Sequence, residues 1–175
     1  MTKGTKIFRI VICVLLALNM IWSAFLGVAL LSGRFQESVI DEKYDLWITN
    51  VRVTSANADD ILGDGTVHYD AYDNILTFEN ALIESENTII YSVNDLNVRL
   101  IGENKFICKN ESHSFGIYAG DSYIHKDLAI YGDGSLTIEM KTKSNGATGI
   151  FADDLIVYSD ITIITPDCEK MVTGI

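Results

Sequence analysis

The stretch FGIYAGDSYIHKDLAIYGDGSLTI, residues 115–138, decides the fold because its pattern recurs along the chain. Residues 148–163, TGIFADDLIVYSDITI, repeat its three short β-rich runs, and residues 88–108 form a weaker, earlier copy. An Asp-Leu pair opens the second run of each copy: Asp95-Leu96, Asp127-Leu128 and Asp154-Leu155. Three short strands in each repeat of about 30 residues predict a parallel β-helix, with one coil per repeat. About three coils fit this length of chain.

The rest of the region after residue 35 has the same all-β texture. Short runs rich in Val, Ile, Thr and Tyr alternate with turns rich in Gly, Asn and Asp, as at residues 63–65 and 132–134. No part of it keeps the 3.6-residue apolar period of a helix. Because alternating strands and turns also suit a β-sandwich, that fold remains an alternative.

The repeats predict which side chains stack on one another, because neighbours on a strand point to opposite faces. The inward columns are all apolar: Leu96/Leu128/Leu155, Val98/Ile130/Val157, Phe106/Leu136/Ile161 and Cys108/Ile138/Ile163. Two outward columns are rich in aromatic residues: Tyr91/Tyr118/Phe151 and Arg99/Tyr131/Tyr158. We therefore expect a dry interior and aromatic ladders on the surface.

The N-terminus predicts insertion into a membrane. Residues 10–31 contain no charge, and 22 residues at about 1.5 Å each are long enough to cross a hydrocarbon layer of ~30 Å. Lys3, Lys6 and Arg9 precede this segment and place the N-terminus in the cytoplasm. The alternative is a cleaved signal peptide and a secreted protein. In both cases the β-domain is extracytoplasmic.

The resulting organisation has five parts, in chain order: a cytoplasmic N-terminus at 1–9, a transmembrane helix or signal anchor at 10–31, a spacer at 32–43, an N-terminal β cap at 44–87, and the coils at 88–175.

Charge excludes one class of partner. Residues 35–175 hold nine basic and 24 acidic residues, a net charge of −15 that repels phosphate, so no nucleic-acid partner is expected. No metal-ligand spacing, phosphate loop or nucleophile elbow occurs, and we expect neither a metal, a cofactor nor catalytic residues. The chain is therefore not expected to be an enzyme.

The opening of the β-region resembles that of a family of bacterial cell-surface proteins described as carbohydrate-binding-domain-containing. The resemblance lies in YDLWI at residues 44–48, VTSANA at 53–58 and ILGDGTV at 61–67, followed by Gly-Ile-Tyr-Ala and Gly-Asp-Gly-Ser-Leu-Thr-Ile coils. It covers about residues 44–175 and implies a right-handed β-helix on a bacterial surface. The sequence departs from the family pattern at residues 70–73, where proline usually opens the turn.

These observations lead to two functional hypotheses. In the first, the domain is a membrane-tethered adhesion or carbohydrate-binding module, whose ligand, a cell-surface or environmental polysaccharide, stacks on Tyr91, Tyr118 and Phe151 or on Tyr131 and Tyr158. In the second, it is a structural spacer or scaffold without a ligand. A fragment of a glycan-active enzyme is the least favoured alternative.

The C-terminus predicts an unfinished repeat. Thr173-Gly174-Ile175 repeats Thr148-Gly149-Ile150, so the chain stops one strand into a new coil. An uncapped strand edge invites association. We therefore expect either further coils in a longer natural chain or self-association through this edge.

Overall fold

A computed structural model describes residue 16 and residues 18–21, 41–109, 115–121, 123–141 and 147–166. The chain divides into two compact units, Met1–Ile40 and Asp41–Ile175. In the first unit the described residues are helical. No helix in the described part of the chain is long and apolar enough to cross a membrane, so the transmembrane helix expected at residues 10–31 is not found there. Most of that segment lies outside the described residues.

The second unit is built from β-strands. Those described, in chain order, are β1 Lys43–Ile48, β2 Val51–Thr54, β3 Val67–Asp70, β4 Ile75–Glu79, β5 Leu82–Ser85, β6 Ile90–Ser92, β7 Leu96–Ile101, β8 Glu103–Cys108, β9 Phe115–Ala119, β10 Leu128–Gly132, β11 Ser135–Met140, β12 Thr148–Phe151, β13 Leu155–Val157 and β14 Asp160–Ile164. Their alternating buried and exposed residues follow the two-residue period of a strand.

The strands form three separate sheets. The first has the order β12-β9-β6-β1-β2, the second β13-β10-β7-β4-β3, and the third β14-β11-β8-β5. Every pairing in the third sheet is parallel. The first two sheets are mixed, because β1 runs antiparallel to β2 and β6, and β3 runs antiparallel to β4.

The expected fold class, a right-handed parallel β-helix after a transmembrane helix, is therefore wrong. The described strands belong to three separate sheets, two of them mixed, and do not form one solenoid. Short connections explain two of the three antiparallel strand pairs, β1–β2 and β3–β4. Residues 49–50 join β1 to β2 and residues 71–74 join β3 to β4, whereas a parallel pair needs a crossover of about a dozen residues or more. The repeats that suggested a solenoid start only at residue 88, after these hairpins.

The predicted pairing of the apolar columns is confirmed in the second sheet, although Val157, at the end of one column, is 40% exposed. Leu128 lies opposite Leu96 on one side and Leu155 on the other, and Ile130 lies between Val98 and Val157 in the same way. Leu128 and Ile130 are almost completely buried, as expected for a dry interior.

The stacking predicted in the third sheet is partly wrong. Leu136 lies opposite Ile161, as expected, but on its other side it faces Asn104 and not Phe106. Phe106 lies opposite Ile138, and Cys108 lies opposite Met140. The expected pairing of β8 with β11 is therefore shifted by two residues.

One apolar cluster is shared by the three sheets. Its largest fully buried side chains are Phe78, Phe106, Ile48, Leu76, Ile89, Ile90, Leu100, Ile117, Leu128, Ile130, Leu136 and Ile138. Burying a side chain of this size contributes roughly 1.5–3 kcal/mol, so this cluster is the main source of stability.

The repeated Asp-Leu pairs have a structural role at the start of the second-sheet strands. The Asp95 Oδ1 accepts a hydrogen bond from the Asp127 backbone N–H at 3.1 Å, and the Asp127 Oδ1 accepts one from the Asp154 N–H at 3.3 Å. Each aspartate thus fixes the start of the neighbouring strand. The unfinished repeat predicted at residues 173–175 lies outside the described residues.

Candidate functional site

An aromatic row crosses the outer face of the first sheet. Trp47 on β1, Tyr91 on β6, Tyr118 on β9 and Phe151 on β12 lie opposite one another on four neighbouring strands. Strand alternation explains their direction: the residues on either side of Trp47 are buried, so its own side chain points outward. The structure therefore brings the predicted ladder Tyr91, Tyr118 and Phe151 together and adds Trp47 to it.

The rings of this row touch in sequence but differ in tilt. The ring centroids are 5.3 Å apart between Trp47 and Tyr91, 5.7 Å between Tyr91 and Tyr118, and 5.1 Å between Tyr118 and Phe151. Tyr118 and Phe151 are nearly parallel, with an interplanar angle of 11°, and cover part of each other's face. Trp47 and Tyr91 are inclined by 33°.

Arg52 extends the row onto the fifth strand of the sheet. It lies opposite Trp47, and its guanidinium carbon is 4.9 Å from the centre of the indole ring. The guanidinium is held in place by the Asp45 carboxylate at 2.7 Å and by the Tyr44 carbonyl oxygen at 2.9 Å. A cation over the ring face is attracted by its π electrons, so Arg52 fixes the orientation of Trp47.

At the other end, Phe115 and His125 pack beside the row. Phe115 meets Tyr118 and Phe151 edge to face, at centroid distances of 4.9 and 5.9 Å, and the His125 ring lies 4.7 Å from that of Phe151. Burial, and then the neighbouring Tyr91 and Asp121, raise the pKa of Tyr118 above its usual value. Its hydroxyl donates a hydrogen bond to the Asp121 carbonyl oxygen at 3.0 Å.

A groove opens at the Trp47 end of the row, with a volume of about 440 Å³. The two rings Trp47 and Tyr91 line it together with four neutral polar residues. These are Thr49, Asn50, Asn87 and Thr88. Thr49 and Asn50 form the turn between β1 and β2, while Asn87 and Thr88 precede β6. The groove, hereafter the Trp47 groove, thus combines aromatic faces with amide and hydroxyl groups.

The second predicted ladder is less continuous. Tyr131 lies opposite Arg99, as expected, and Tyr158 follows β13, where its N–H donates to the Ile130 carbonyl oxygen at 2.8 Å. Among the described residues no ring contact joins Tyr131 to Tyr158, and the side chain of Tyr158 is 79% exposed. A role for these two tyrosines in ligand binding stays a prediction.

Sequence reasoning missed Trp47 and the four polar residues of the groove. Trp47 could have been found, because it alternates with two apolar residues in the run Leu46-Trp47-Ile48 and must face away from them. The polar residues carry no repeat or motif. They meet only because the β1–β2 turn lies beside the segment that precedes β6, where the Thr49 N–H donates to the Ile89 carbonyl oxygen at 2.7 Å.

The acidic turns are occupied by local hydrogen bonds. The Asp60 Oδ1 accepts from the N–H groups of Gly63 and Gly65, and Asp64 accepts from the backbone and hydroxyl of Thr66. The Thr66 bonds lower the pKa of Asp64. Within the described ranges no three His, Cys, Asp or Glu side chains come together as a metal site would require.

Comparison of the chain with protein-family models, with curated proteins and with solved structures finds no match.

Proposed function

We propose that the β-domain is an extracytoplasmic carbohydrate-binding module, whether the N-terminal segment is retained or cleaved. The observation that carries this proposal is the aromatic row, with one ring on each of four neighbouring strands. A ring face offers flat apolar surface to the C–H face of a pyranose, while the sugar hydroxyls stay available for polar groups beside it.

The Trp47 groove supports this proposal because it places amides and hydroxyls next to two aromatic rings. Binding sites for small polar molecules combine an apolar surface with a few polar groups that fix orientation, and this groove has both components. The resemblance of residues 44–175 to bacterial cell-surface proteins favours the same function. The ligand we propose is a cell-surface or environmental polysaccharide.

A structural scaffold is the second candidate function, and one observation favours it. Tyr118 and Phe151 stack on each other, so part of the aromatic surface serves packing within the sheet. A scaffold would keep the row for stability alone and would bind no glycan.

Glycan binding by the Tyr91→Ala variant distinguishes a carbohydrate-binding module from a structural scaffold. Tyr91 touches both Trp47 and Tyr118, and its loss interrupts the row at the groove. Once a glycan array has identified a ligand, titration calorimetry measures its affinity for the wild type and for Tyr91→Ala. We expect the variant to bind the ligand about tenfold more weakly, since an aromatic contact contributes about 0.5–1.5 kcal/mol beyond burial.

Tyr72→Ala is the matched control, because it removes the same side chain from an exposed position in the turn between β3 and β4, away from the aromatic row. It should bind like the wild type. If a folded wild-type domain binds no glycan on the array, or if Tyr91→Ala binds as tightly as the wild type, carbohydrate binding through the row is wrong.

A further inference from the structure

We propose that the Trp47 groove is a subsite selective for neutral sugars, which excludes uronate-containing and sulfated polymers. This inference rests on the proposed carbohydrate-binding function and names the class of glycan that the site accepts. It follows from the chemistry of the groove lining, from its unused hydrogen-bonding groups and from the charge around it.

The composition of the groove lining favours a neutral sugar. All six residues that line the groove are uncharged, although 21% of the chain consists of charged residues. Side-chain amides and hydroxyls both donate and accept hydrogen bonds, as sugar hydroxyls do. A site for an anionic sugar would need an arginine or a lysine to pair with the carboxylate or sulfate. The groove lining provides none.

The two side-chain amides of the groove are available to bind a ligand. Among the described residues, the side chains of Asn50 and Asn87 make no intramolecular hydrogen bond. Some asparagines elsewhere in the domain are used by the fold: Asn57 donates to the Arg52 carbonyl oxygen, and Asn74 donates to the Asp95 carbonyl oxygen. The groove amides therefore differ from the structural ones.

The turn that carries Thr49 and Asn50 has an unusual backbone conformation. Thr49 has a φ of 56°, and it is the only residue with positive φ in the described ranges that is neither glycine nor asparagine. A β-branched residue is strained in this region, where glycine would be preferred. Strained residues of this kind concentrate at functional sites, and Thr49 is one of the residues that line the groove.

The net charge of the β-domain also favours a neutral ligand. Residues 35–175 have a net charge of −15, which creates a field that repels anionic polymers over about a Debye length, ~10 Å at 0.1 M salt. Arg52, whose guanidinium lies over the Trp47 ring, is already paired with Asp45. A neutral sugar crosses this field without an electrostatic barrier.

The inference can be tested by affinity electrophoresis of the complete chain in gels containing a neutral β-glucan, a neutral galactomannan or polygalacturonate. We expect retardation by at least one neutral polymer and none by polygalacturonate. Asn50→Ala and Asn87→Ala should each weaken binding about two- to tenfold, the loss expected for one neutral hydrogen bond. Asn97→Ala, on the second sheet, is the matched control and should bind normally.

The outcomes distinguish this inference from the proposed function. If Tyr91→Ala loses binding while both groove asparagine variants bind like the wild type, carbohydrate binding stands and the subsite is wrong. Stronger retardation by polygalacturonate than by the neutral polymers overturns the selectivity. If no polymer retards the folded wild-type protein and the glycan array is also blank, the proposed function fails, and the subsite fails with it. Equal melting temperatures for all variants confirm that the changes report on binding.

Discussion

Asn104 shows how one polar side chain can occupy an apolar column of the core. It is 3% exposed and lies in the row of Leu136 and Ile161, where the repeats predict apolar residues. Its Oδ1 accepts from the Ala81 N–H at 2.9 Å, and its Nδ2 lies 3.2 Å from the carbonyl oxygens of both Ile101 and Ser135. A buried amide with these partners satisfies backbone groups that would otherwise be unpaired.

We therefore expect Asn104→Ala to lower the free energy of unfolding by about 2–4 kcal/mol, because it leaves buried backbone groups without partners and creates a small cavity. Urea denaturation followed by circular dichroism measures this loss as a shift of the midpoint at constant slope. Asn97→Ala removes the same side chain from a half-buried position on β7 and should stay within about 0.5 kcal/mol of the wild type. Equal losses in the two variants would contradict a special role for the Asn104 amide.

At the scale of the strands, the sequence predicts register well where a repeat carries a unique marker. The Asp-Leu pair marks β7, β10 and β13, and the structure confirms their pairing residue by residue. β8 has no such marker. Because side chains alternate with a period of two, a shift of two residues keeps every apolar side chain on the inner face. Hydrophobic pattern alone could therefore not distinguish the true pairing of Phe106 with Ile138 from the predicted one.

The mixed sheets were missed for a different reason. β1 and β2 are joined by a two-residue turn at Thr49 and Asn50, and neither strand belongs to a repeat. β1 joins the rest of the first sheet by a long-range pairing with β6, in which Trp47 lies opposite Tyr91, and this pairing leaves no signal in local sequence. The same pairing builds the Trp47 groove, so it also explains why the polar residues of the groove were missed.

The confirmed register leads to a prediction for β10. Leu128→Asp would place a carboxylate at a position that is 1% exposed, where no partner can neutralise it, and should cost at least 3 kcal/mol. We expect the loss of a cooperative thermal transition. Ala129→Asp changes the next residue on the strand, which points to the outer face, and should melt within a few degrees of the wild type. A folded Leu128→Asp variant that melts near the wild-type temperature would refute the inward position of Leu128.

At the scale of the whole β-domain, the three sheets depend on one another because they share a single apolar cluster. Phe78 from the second sheet meets Phe106 from the third edge to face at 5.1 Å, and Ile117 brings the first sheet into the same cluster. No sheet can lose its inner face to water without exposing the others. Unfolding of the domain should therefore be a single transition, and a buried group in any sheet can report on it.

Cys108 is such a reporter. Its side chain is completely buried in the shared cluster, and burial raises the pKa of the thiol to about 12. Because the thiolate is the reactive form, iodoacetamide should modify Cys108 at pH 8 only when the domain opens, and the rate should rise with urea in parallel with unfolding. The raised pKa also means that the stability contributed by the neutral thiol is complete below about pH 9 and is lost as pH rises towards 12. Labelling is measured by mass spectrometry in a Cys13→Ser, Cys168→Ser background, so that the signal comes from Cys108 alone. In a separate measurement of unfolding against pH, the Cys108→Ala variant should lack the loss of stability at alkaline pH. Rapid modification of Cys108 in native buffer, at the rate of a free thiol, would show that this part of the cluster opens without the rest and would contradict a single cooperative core.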